Sequence, residues 1–445
     1  MSDYAKYVEK HRALILNSLD YIWKNPETGY KEWKTHGYMD AVFRDLGYEL
    51  TLAGNIPGFT AEIDTGKEGP TIAVFGEMDA LICGTHPEAD AQTGAVHSCG
   101  HCAQTAALIG LAAALKEEGA LDGLCGKIRL VAVPAEELIE VEYREELRKQ
   151  GIIKYFGGKP EFMRRGLLDG VDMAFMIHTT VGDKPSFIIN RGSNGCIAKT
   201  MIFKGVSAHA GGAPHNGVNA LYAANLALNA VNALRETFLD DEHIRFHPII
   251  THGGDAVNAI PEMVTMESYV RGASMQEMVK VNKKINRAMA ASAAAMGAKL
   301  RLHDISGYWI RQYPEEFRLA FQDAAKLVVD DVKLTEGWGT GCSDLGDVCA
   351  VMPALQASVS GAVGNGHGNN FYIIDGETAC VKSAEAQLVL LSVLLKDDAK
   401  KANDIIANYK PEFSSMQDYF DFVDKLNIDE EVVTYDGEDK VILKY

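Results

Sequence analysis

The sequence predicts an α/β protein in which a sheet with helices on both faces is interrupted by a smaller inserted unit. Two observations carry this prediction. Long apolar runs rich in Val, Ile and Phe alternate with helical patterns in the outer parts of the chain. Between about residues 193 and 305 the order of elements changes to βαββαβ. With 445 residues the chain is long enough for more than one domain core.

The apolar runs of the larger part predict buried strands, because a strand covered on both faces loses the alternation of a half-exposed one. The clearest runs are TIAVFGEMD (71–79), GKIRLVAVPAEE (126–137), VDMAFMIHTT (171–180) and VMPALQASVSG (351–361). The segment AQTAALIGLAAALKEEG (103–119) predicts a helix that ends at a glycine. We therefore expect a mixed-sheet domain from residues 1–192 and 307–445, with the tail from about residue 397 packed on its outside.

The inserted unit, residues 193–306, predicts a ferredoxin-like module. Its elements are a strand, a long helix, two strands, a second helix and a last strand, at 197–209, 214–238, 245–253, 262–272, 275–296 and 298–305. This order is that of the ferredoxin-like fold. The module exposes a sheet edge, which can pair with the same edge of a second subunit across a twofold axis. We therefore expect a homodimer.

Composition excludes several classes of partner. The chain has 43 Lys and Arg against 61 Asp and Glu, a formal charge of −18, which argues against nucleic acid. The N-terminal residues mix both charges without the apolar core of a signal peptide, and no run has membrane-spanning length, so we expect a cytoplasmic protein with no membrane partner. The eight cysteines are sparse and irregularly spaced, which argues against a disulfide framework.

The stretch HSCGHCAQTA (97–106) contains a CxxC with a central histidine. Cys99 precedes the predicted helix, so a thiol redox pair with Cys102 is one interpretation. A redox motif normally lies in a compact domain of its own, whereas this one lies far into a larger sheet domain. A structural zinc knuckle needs a second CxxC or HxxxH pair, and none follows at the required spacing. The third interpretation is a catalytic metal site.

Metal-binding residue types recur where the predicted strands end. They are Glu136–Glu137, His178 and His367, with Cys99 and His101 in a loop before a helix. In an open α/β sheet such positions converge on one crevice. Each has a simpler alternative: a histidine at a strand end is commonly a hydrogen-bonded structural residue, and paired glutamates commonly face water. Together they form a sulfur, nitrogen and oxygen donor set that suits Zn, Mn, Ni or Co, and it exceeds the needs of one ion. We therefore expect two divalent ions per subunit.

The chain resembles the M20 metallopeptidases, and within them the M20D amidohydrolases, over nearly its whole length. The motifs that carry the resemblance are GEMDAL (76–81), HSCGH (97–101), PAEE (134–137), the strand-end His178, SAHAGGAPH (207–215), NAIPE (258–262), YVRG (269–272), CSDLGDV (342–348) and GHGNNF (366–371). The family usually has Asp or Asn after Cys-Gly-His, where this chain has Cys102. This departure concerns the surroundings of His101 and the choice of metal.

The resemblance implies a role for individual residues. The metal ligands would be Cys99, His101, Glu137, His178 and His367. Glu136 would be the catalytic base, and Asp79 a carboxylate that orients the metal site. His209 of the partner subunit would stabilise the oxyanion from the inserted domain, which acts as a lid, while Asn258 and Arg271 would hold a substrate carboxylate. His215 is interpreted as a loop residue.

The expected activity is a metal-dependent hydrolysis of the amide bond in an N-acyl amino acid or an aminobenzoyl-glutamate-like substrate. The nearest alternative is a dipeptidase or carboxypeptidase with the same dinuclear site. From other classes, a thiol oxidoreductase using Cys99 and Cys102 and an inactive binding protein of the same fold remain as alternatives. The intact Glu136–Glu137 pair argues against the last of these.

Overall fold

The computed structural model describes residues 4–437 and 440–444, and the chain separates into two compact units. The first unit contains the chain up to Gly192, Arg311–Gly339 and Ser343–Met416; the second contains Ser193–Ile310, Thr340–Cys342 and the chain from Gln417. The first predicted domain begins at residue 1, and residues 1–3, 438, 439 and 445 lie outside the described part.

The first unit is built on a mixed sheet, as predicted. Its strands, in spatial order, are Leu50–Leu52, Phe59–Asp64, Lys127–Val133, Thr71–Glu77, Met173–Val181, Ala354–Val363, Ser186–Ile189 and Asp331–Leu334, with Tyr372–Ile373 paired to Ala354–Val363. The third to sixth strands of this order are parallel to one another. Thr71–Glu77 is buried at all seven positions. A strand without an exposed face requires cover on both sides of the sheet, which agrees with its uninterrupted apolar sequence.

Helices supply this cover. In the first unit they are Ala5–Glu9, Arg12–Trp23, Trp33–Asp45, His101–Leu115, Val141–Lys149, Gly158–Arg164, Glu315–Ala325, Leu345–Cys349 and Ser383–Asn408, with a π-helical turn at Glu377–Lys382. All fifteen residues of His101–Leu115 are buried, so this helix is a core element with no solvent face. Short strands lie at Leu81–Ile82, Ala95–Val96, Gly192–Ser193, Arg311–Gln312 and Trp338–Gly339.

One helical stretch in the described part of the chain, Glu377–Asn408, is long and apolar enough to cross a membrane by length and composition alone. Of its most apolar window, 89% is buried inside the protein, which is what a core helix shows. The backbone leaves the helical conformation between Lys396 and Ala399, where two helical segments meet.

The second unit has the predicted ferredoxin-like topology. At one edge of its sheet, the short strands Arg245–Phe246 and Ile249–His252 both pair with Met263–Gly272. The sheet then continues, in spatial order, with Gly195–Lys204, Lys299–Ser306, Ile428–Asp436 and Lys440–Leu443. Its helices are Ala220–Leu234, Met275–Ala295 and, at the boundary of the units, Met416–Val423. The four predicted strands therefore lie in the order second, third, first, fourth, all antiparallel to their neighbours.

The C-terminal segment differs from the predicted organisation. The sequence places residues 307–445 in the first domain, whereas Ile428–Asp436 pairs antiparallel with Lys299–Ser306 of the second unit. The pairing has a physical reason: an edge strand leaves backbone donors and acceptors unpaired, and an added strand satisfies them. Val432 and Val433 are buried by this addition. The functional division of the chain at residues 193 and 306 stays a prediction.

Candidate metal centre

The five predicted metal ligands lie together at the carboxyl ends of the central parallel strands. The structure places them in two groups whose ligand atoms lie within 4.8 Å of one another: Cys99 with His101 and His178, and Cys99 with Glu137 and His367. Cys99 belongs to both groups. A single sulfur shared by two sets of donors is the arrangement expected of a pair of neighbouring ions.

Cys99 and His101 occupy the entrance to a helix. His101 is the first residue of His101–Leu115, and Gly100 caps it with a φ of +90°. A side chain at Gly100 would meet Cβ of Thr179 at 3.0 Å, so glycine is required here for both reasons. Cys99 therefore lies just before a helix N-terminus, where the helix dipole favours the thiolate form that a bound ion requires, while burial raises the pKa of the free thiol.

Two histidine rings are oriented by hydrogen bonds to one nitrogen each. Nδ1 of His101 donates to the backbone oxygen of Asp79 at 2.9 Å and lies 3.2 Å from its Oδ1. Nδ1 of His178 donates to the backbone oxygen of Thr179 at 2.7 Å. Both rings therefore direct an Nε2 lone pair inward, and Nε2 of His178 lies 3.4 Å from Sγ of Cys99. Outer groups that fix the tautomer in this way are typical of metal-binding histidines.

His367 comes from a tight loop after Ala354–Val363. Its backbone has a φ of +63°, which is rare outside glycine, and its N–H donates to the backbone oxygen of Ser98 at 2.8 Å. Nε2 of His367 lies 3.2 Å from Oε1 of Glu137. The histidine is exposed whereas Glu137 is 9% exposed, so this second group lies at the mouth of the site.

Glu136, the predicted base, is 8% exposed, and its Oε2 lies 3.8 Å from Nε2 of His101. Burial, together with the charges of Glu77 and Glu137, raises the pKa of Glu136 well above its usual range. A buried carboxyl group beside the proposed ions can accept a proton and return it during turnover.

Three charged residues that the sequence interpretation did not assign lie beneath the site. The ammonium group of Lys159 forms ion pairs with both Glu77 and Asp344, and all three side chains are fully buried. The backbone N–H of Lys159 also donates to Oδ2 of Asp344 at 2.9 Å. The other oxygen of Glu77 lies 3.3 Å from Nε2 of His101. The available signals were the strand-end GEMD and the CSDLGDV motif, which contain Glu77 and Asp344.

The charge balance of this region fits bound cations. Five carboxyl groups at most 9% exposed gather here, and they are Glu77, Asp79, Glu136, Glu137 and Asp344. Lys159 is the buried amine that faces them. Buried carboxylates require compensating charge. Nε2 of His101 and Oε1 of Glu137 make no aligned hydrogen bond in the described part of the chain, although Glu77 and His367 lie within 3.3 Å of them. The donor set therefore fits divalent ions that accept sulfur, nitrogen and oxygen ligands.

Cys102 belongs to none of the donor groups. It is fully buried in the helix His101–Leu115, and burial raises the pKa of its thiol to about 12. Redox activity requires an accessible thiolate, so the environment of Cys102 does not favour the redox interpretation of CxxC. All eight cysteines are free thiols.

The remaining predicted site residues belong to the second unit. His209 and Asn258 are exposed and adjacent, since the N–H of Ala210 donates to the backbone oxygen of Asn258 at 2.9 Å. Nδ1 of His209 accepts hydrogen bonds from the N–H groups of Gly211 and Gly212, which leaves Nε2 available. The guanidinium of Arg271 lies over the ring of Tyr269, 5.2 Å from its centroid. His215, interpreted as a loop residue, is exposed in the short 3₁₀ helix Pro214–Asn216.

Comparison with known proteins adds the family. Residues 188–296 match the family model of the peptidase dimerisation domain. An indole-3-acetyl-aspartic acid hydrolase from Enterobacter agglomerans is 30% identical over 328 residues, which are 62% of this chain and 70% of that protein. The chain belongs to the M20 peptidase family. As an M20 protein it is a hydrolase that acts on amide or peptide bonds, and the resemblance drawn from its motifs is confirmed.

The chain is also similar to other hydrolases in sequence and in fold. A p-aminobenzoyl-glutamate hydrolase polypeptide from Escherichia coli is 28% identical over 65% of this chain and 57% of that protein. The Bacillus subtilis YXEP protein, a dinuclear metal-binding M20 peptidase, superposes with a TM-score of 0.64 at 21% identity, over 86% of this chain and 99% of that one. An aminobenzoyl-glutamate utilization protein from Klebsiella pneumoniae gives a TM-score of 0.65 at 20% identity, over 88% and 98%. These structures share the fold of the M20 chain described above.

Proposed function

We propose that this M20 hydrolase cleaves the amide bond of an N-acyl amino acid or an aminobenzoyl-glutamate-like substrate with two divalent ions. The observation that carries the proposal is the position of Cys99 in two donor groups, with the buried Glu136 beside them. Cys99, His101 and His178 would hold one ion, and Cys99, Glu137 and His367 the other. The metal is one that accepts this donor set, such as Zn, Mn, Ni or Co.

When bound, the two ions would acidify a water molecule and polarise the amide carbonyl. Glu136 would take a proton from the attacking water and later donate it to the departing amine nitrogen, so that one carboxyl would act as base and then as acid. Asp79 holds the ring of His101 in one tautomer through the Nδ1 hydrogen bond.

The substrate class is supported by what relatives act on. One relative is named a p-aminobenzoyl-glutamate hydrolase and another an indole-3-acetyl-aspartic acid hydrolase, and both names describe an acyl group joined to an amino acid by an amide. A second candidate function is a dipeptidase, because a human Xaa-Arg dipeptidase is 26% identical over 88% of this chain and 85% of that protein.

Substrate binding and oligomeric state complete the proposal. Arg271 would hold the substrate carboxylate together with Asn258, since Nε of Arg271 is buried and has no hydrogen-bond partner among the described residues. A homodimer is supported by the match to the dimerisation domain and by the edge strand Ile249–His252, whose Ile249 is 62% exposed. In that dimer His209 of the partner subunit would donate to the oxyanion. The free thiols agree with a cytoplasmic enzyme.

The test is a substrate panel. Protein loaded with each metal in turn is incubated with N-acyl amino acids, aminobenzoyl-glutamate and dipeptides, and the released amine is measured. The proposal predicts the fastest release from N-acyl amino acids or aminobenzoyl-glutamate. Faster release from dipeptides would favour the second candidate, and release from none would reject both.

A further inference from the structure

The turn that carries Glu136 has a strained backbone. Ala135, the residue before the proposed base, has a φ of +60°, a conformation that costs a non-glycine residue free energy. Such a conformation persists only where surrounding contacts hold it. The contacts of Ala135 therefore determine where the side chain of Glu136 points.

One of those contacts comes from a distant carboxyl group. The N–H of Ala135 donates to Oε1 of Glu32 at 2.8 Å, across 103 residues of sequence. Glu32 is fully buried, and none of the mechanistic steps above uses it. Burial, followed by the charge of Asp79, raises the pKa of Glu32 well above its usual value, so a neutral side chain of the same shape is a close replacement.

The segment around Glu32 fits closely against the same turn. A Cβ placed on Gly29 would lie 2.9 Å from Cα of Ala135 and 2.4 Å from Nη2 of Arg144. A glycine is therefore required at position 29 for this approach. The N-terminal segment thus contacts the strained residue through both a side chain and its backbone.

The next residue, Glu137, has separate contacts. Its N–H donates to Oδ2 of Asp79 at 2.8 Å, and its backbone oxygen accepts a hydrogen bond from Nη2 of Arg144. Removal of the Glu32 carboxyl therefore leaves Glu137, the proposed metal ligand, held by its own contacts. It frees only the backbone N–H of Ala135, the residue before the proposed base.

We infer that Glu32 is a positioning residue that holds Ala135 in its left-handed conformation and so aims the carboxyl of Glu136. This inference rests on the proposed function for its effect on turnover. The hydrogen bond itself predicts a backbone effect that does not depend on any substrate.

The experiment compares four variants as metal-loaded full-length protein. Glu32→Leu and Glu32→Ser remove the acceptor for the Ala135 N–H, and we expect kcat to fall about 100-fold, the size that misplacement of a catalytic group produces. KM and metal content should stay close to those of the wild type. Glu32→Gln keeps an acceptor of the same shape and should restore most of kcat. Thr35→Val, a control in the same buried segment, should behave as the wild type.

Amide hydrogen exchange of the peptide that contains residues 134–138 provides the second readout. Exchange should be faster in Glu32→Leu and Glu32→Ser than in Glu32→Gln or the wild type, even if no substrate is cleaved. The inference would be overturned if Glu32→Ser had the kcat and the amide exchange rate of the wild type. It would also be overturned if Glu32→Gln lost as much kcat as Glu32→Ser. Loss of metal in parallel with activity would assign Glu32 to support of the ligands instead of the base. Absence of turnover in the wild type contradicts the proposed function alone.

Discussion

Sγ of Cys99 lies 3.4 Å from Nε2 of His178, and the same sulfur belongs to the group formed with Glu137 and His367. Replacement of this one residue therefore removes a donor from both proposed ion sites. We predict that Cys99→Ala loses both metal and amidase activity, as measured by metal analysis and amine release. Cys102→Ala is the matched control, because Cys102 is fully buried in the helix core and should be needed for neither.

The redox alternative makes the opposite prediction for this pair. If the CxxC were a dithiol, both variants would lose activity equally and the wild type would exchange thiols without metal. That result would remove the main support for the proposed metal centre.

One isosteric substitution distinguishes the role of Glu136 as base from the role of Glu137 as metal ligand. Glu136→Gln leaves all five proposed ligands in place, so it should bind two ions per chain. General acid–base catalysis by one group contributes about 10²- to 10⁴-fold to turnover. Turnover should fall by at least this factor, because Glu136 is proposed to act twice. Steady-state kinetics and metal analysis of the same preparation measure both effects. Loss of metal in this variant would show that Glu136 and Glu137 have exchanged roles.

The buried ammonium group of Lys159 should be important for the stability of the fold. Lys159→Met leaves Glu77 and Asp344 buried without their ammonium partner, and loss of one member of a buried ion pair costs about 3–5 kcal/mol. The free energy of unfolding in urea measures this cost. Lys24→Met, which removes an exposed partner of Asp20, is the control and should change stability little. Similar, small effects in both variants would contradict the importance of the buried charges.

Metal binding should release protons. In the metal-free protein, burial and the charge of Glu137 raise the pKa of the Cys99 thiol well above its usual value. The Cys99 thiol therefore carries a proton at neutral pH that an ion must displace, whereas burial lowers the pKa of His178 to about 4 and that ring is already neutral.

Apparent metal affinity should consequently rise from about pH 6 to about pH 8. Calorimetric titration in buffers of different ionisation enthalpy counts the released protons, and Cys99→Ala should release fewer than the wild type. An affinity that is constant over this range would be incompatible with the assigned ligands.

The main strands and the ligand cluster could be predicted because both follow from local patterns. A continuous apolar run such as Thr71–Glu77 identifies a buried parallel strand, and the residues that follow such strands meet at one edge. Lys159 could not be predicted in the same way. Its partners Glu77 and Asp344 are 82 and 185 residues distant, and a lysine in a short helix normally faces solvent.

Two further features depend on backbone conformation or on partners that local sequence does not specify. The left-handed conformation of Ala135 is not encoded by the residue itself, since alanine disfavours it. The strand Ile428–Asp436 (IDEEVVTYD) groups its acidic and its apolar residues instead of alternating them, so its local pattern names neither a strand nor the edge with which it pairs.

The proposed dimeric site can be tested by subunit mixing. His209→Ala and Glu136→Gln should each be nearly inactive alone, the first with normal metal content. Their heterodimers should regain one good site, composed of Glu136 from one chain and His209 from the other, and amine release measures the recovery. If subunit exchange is confirmed and no activity returns, the histidine acts within its own chain or not in catalysis.

In the proposed mechanism, two ions held by Cys99, His101, Glu137, His178 and His367 support amide hydrolysis. The most direct test is titration of chelator-treated protein with one divalent metal while amine release from an N-acyl amino acid is followed. We predict no amine release without metal, and an increase in release that is complete when two ions are bound per chain. Full amine release from protein that contains no metal would contradict it.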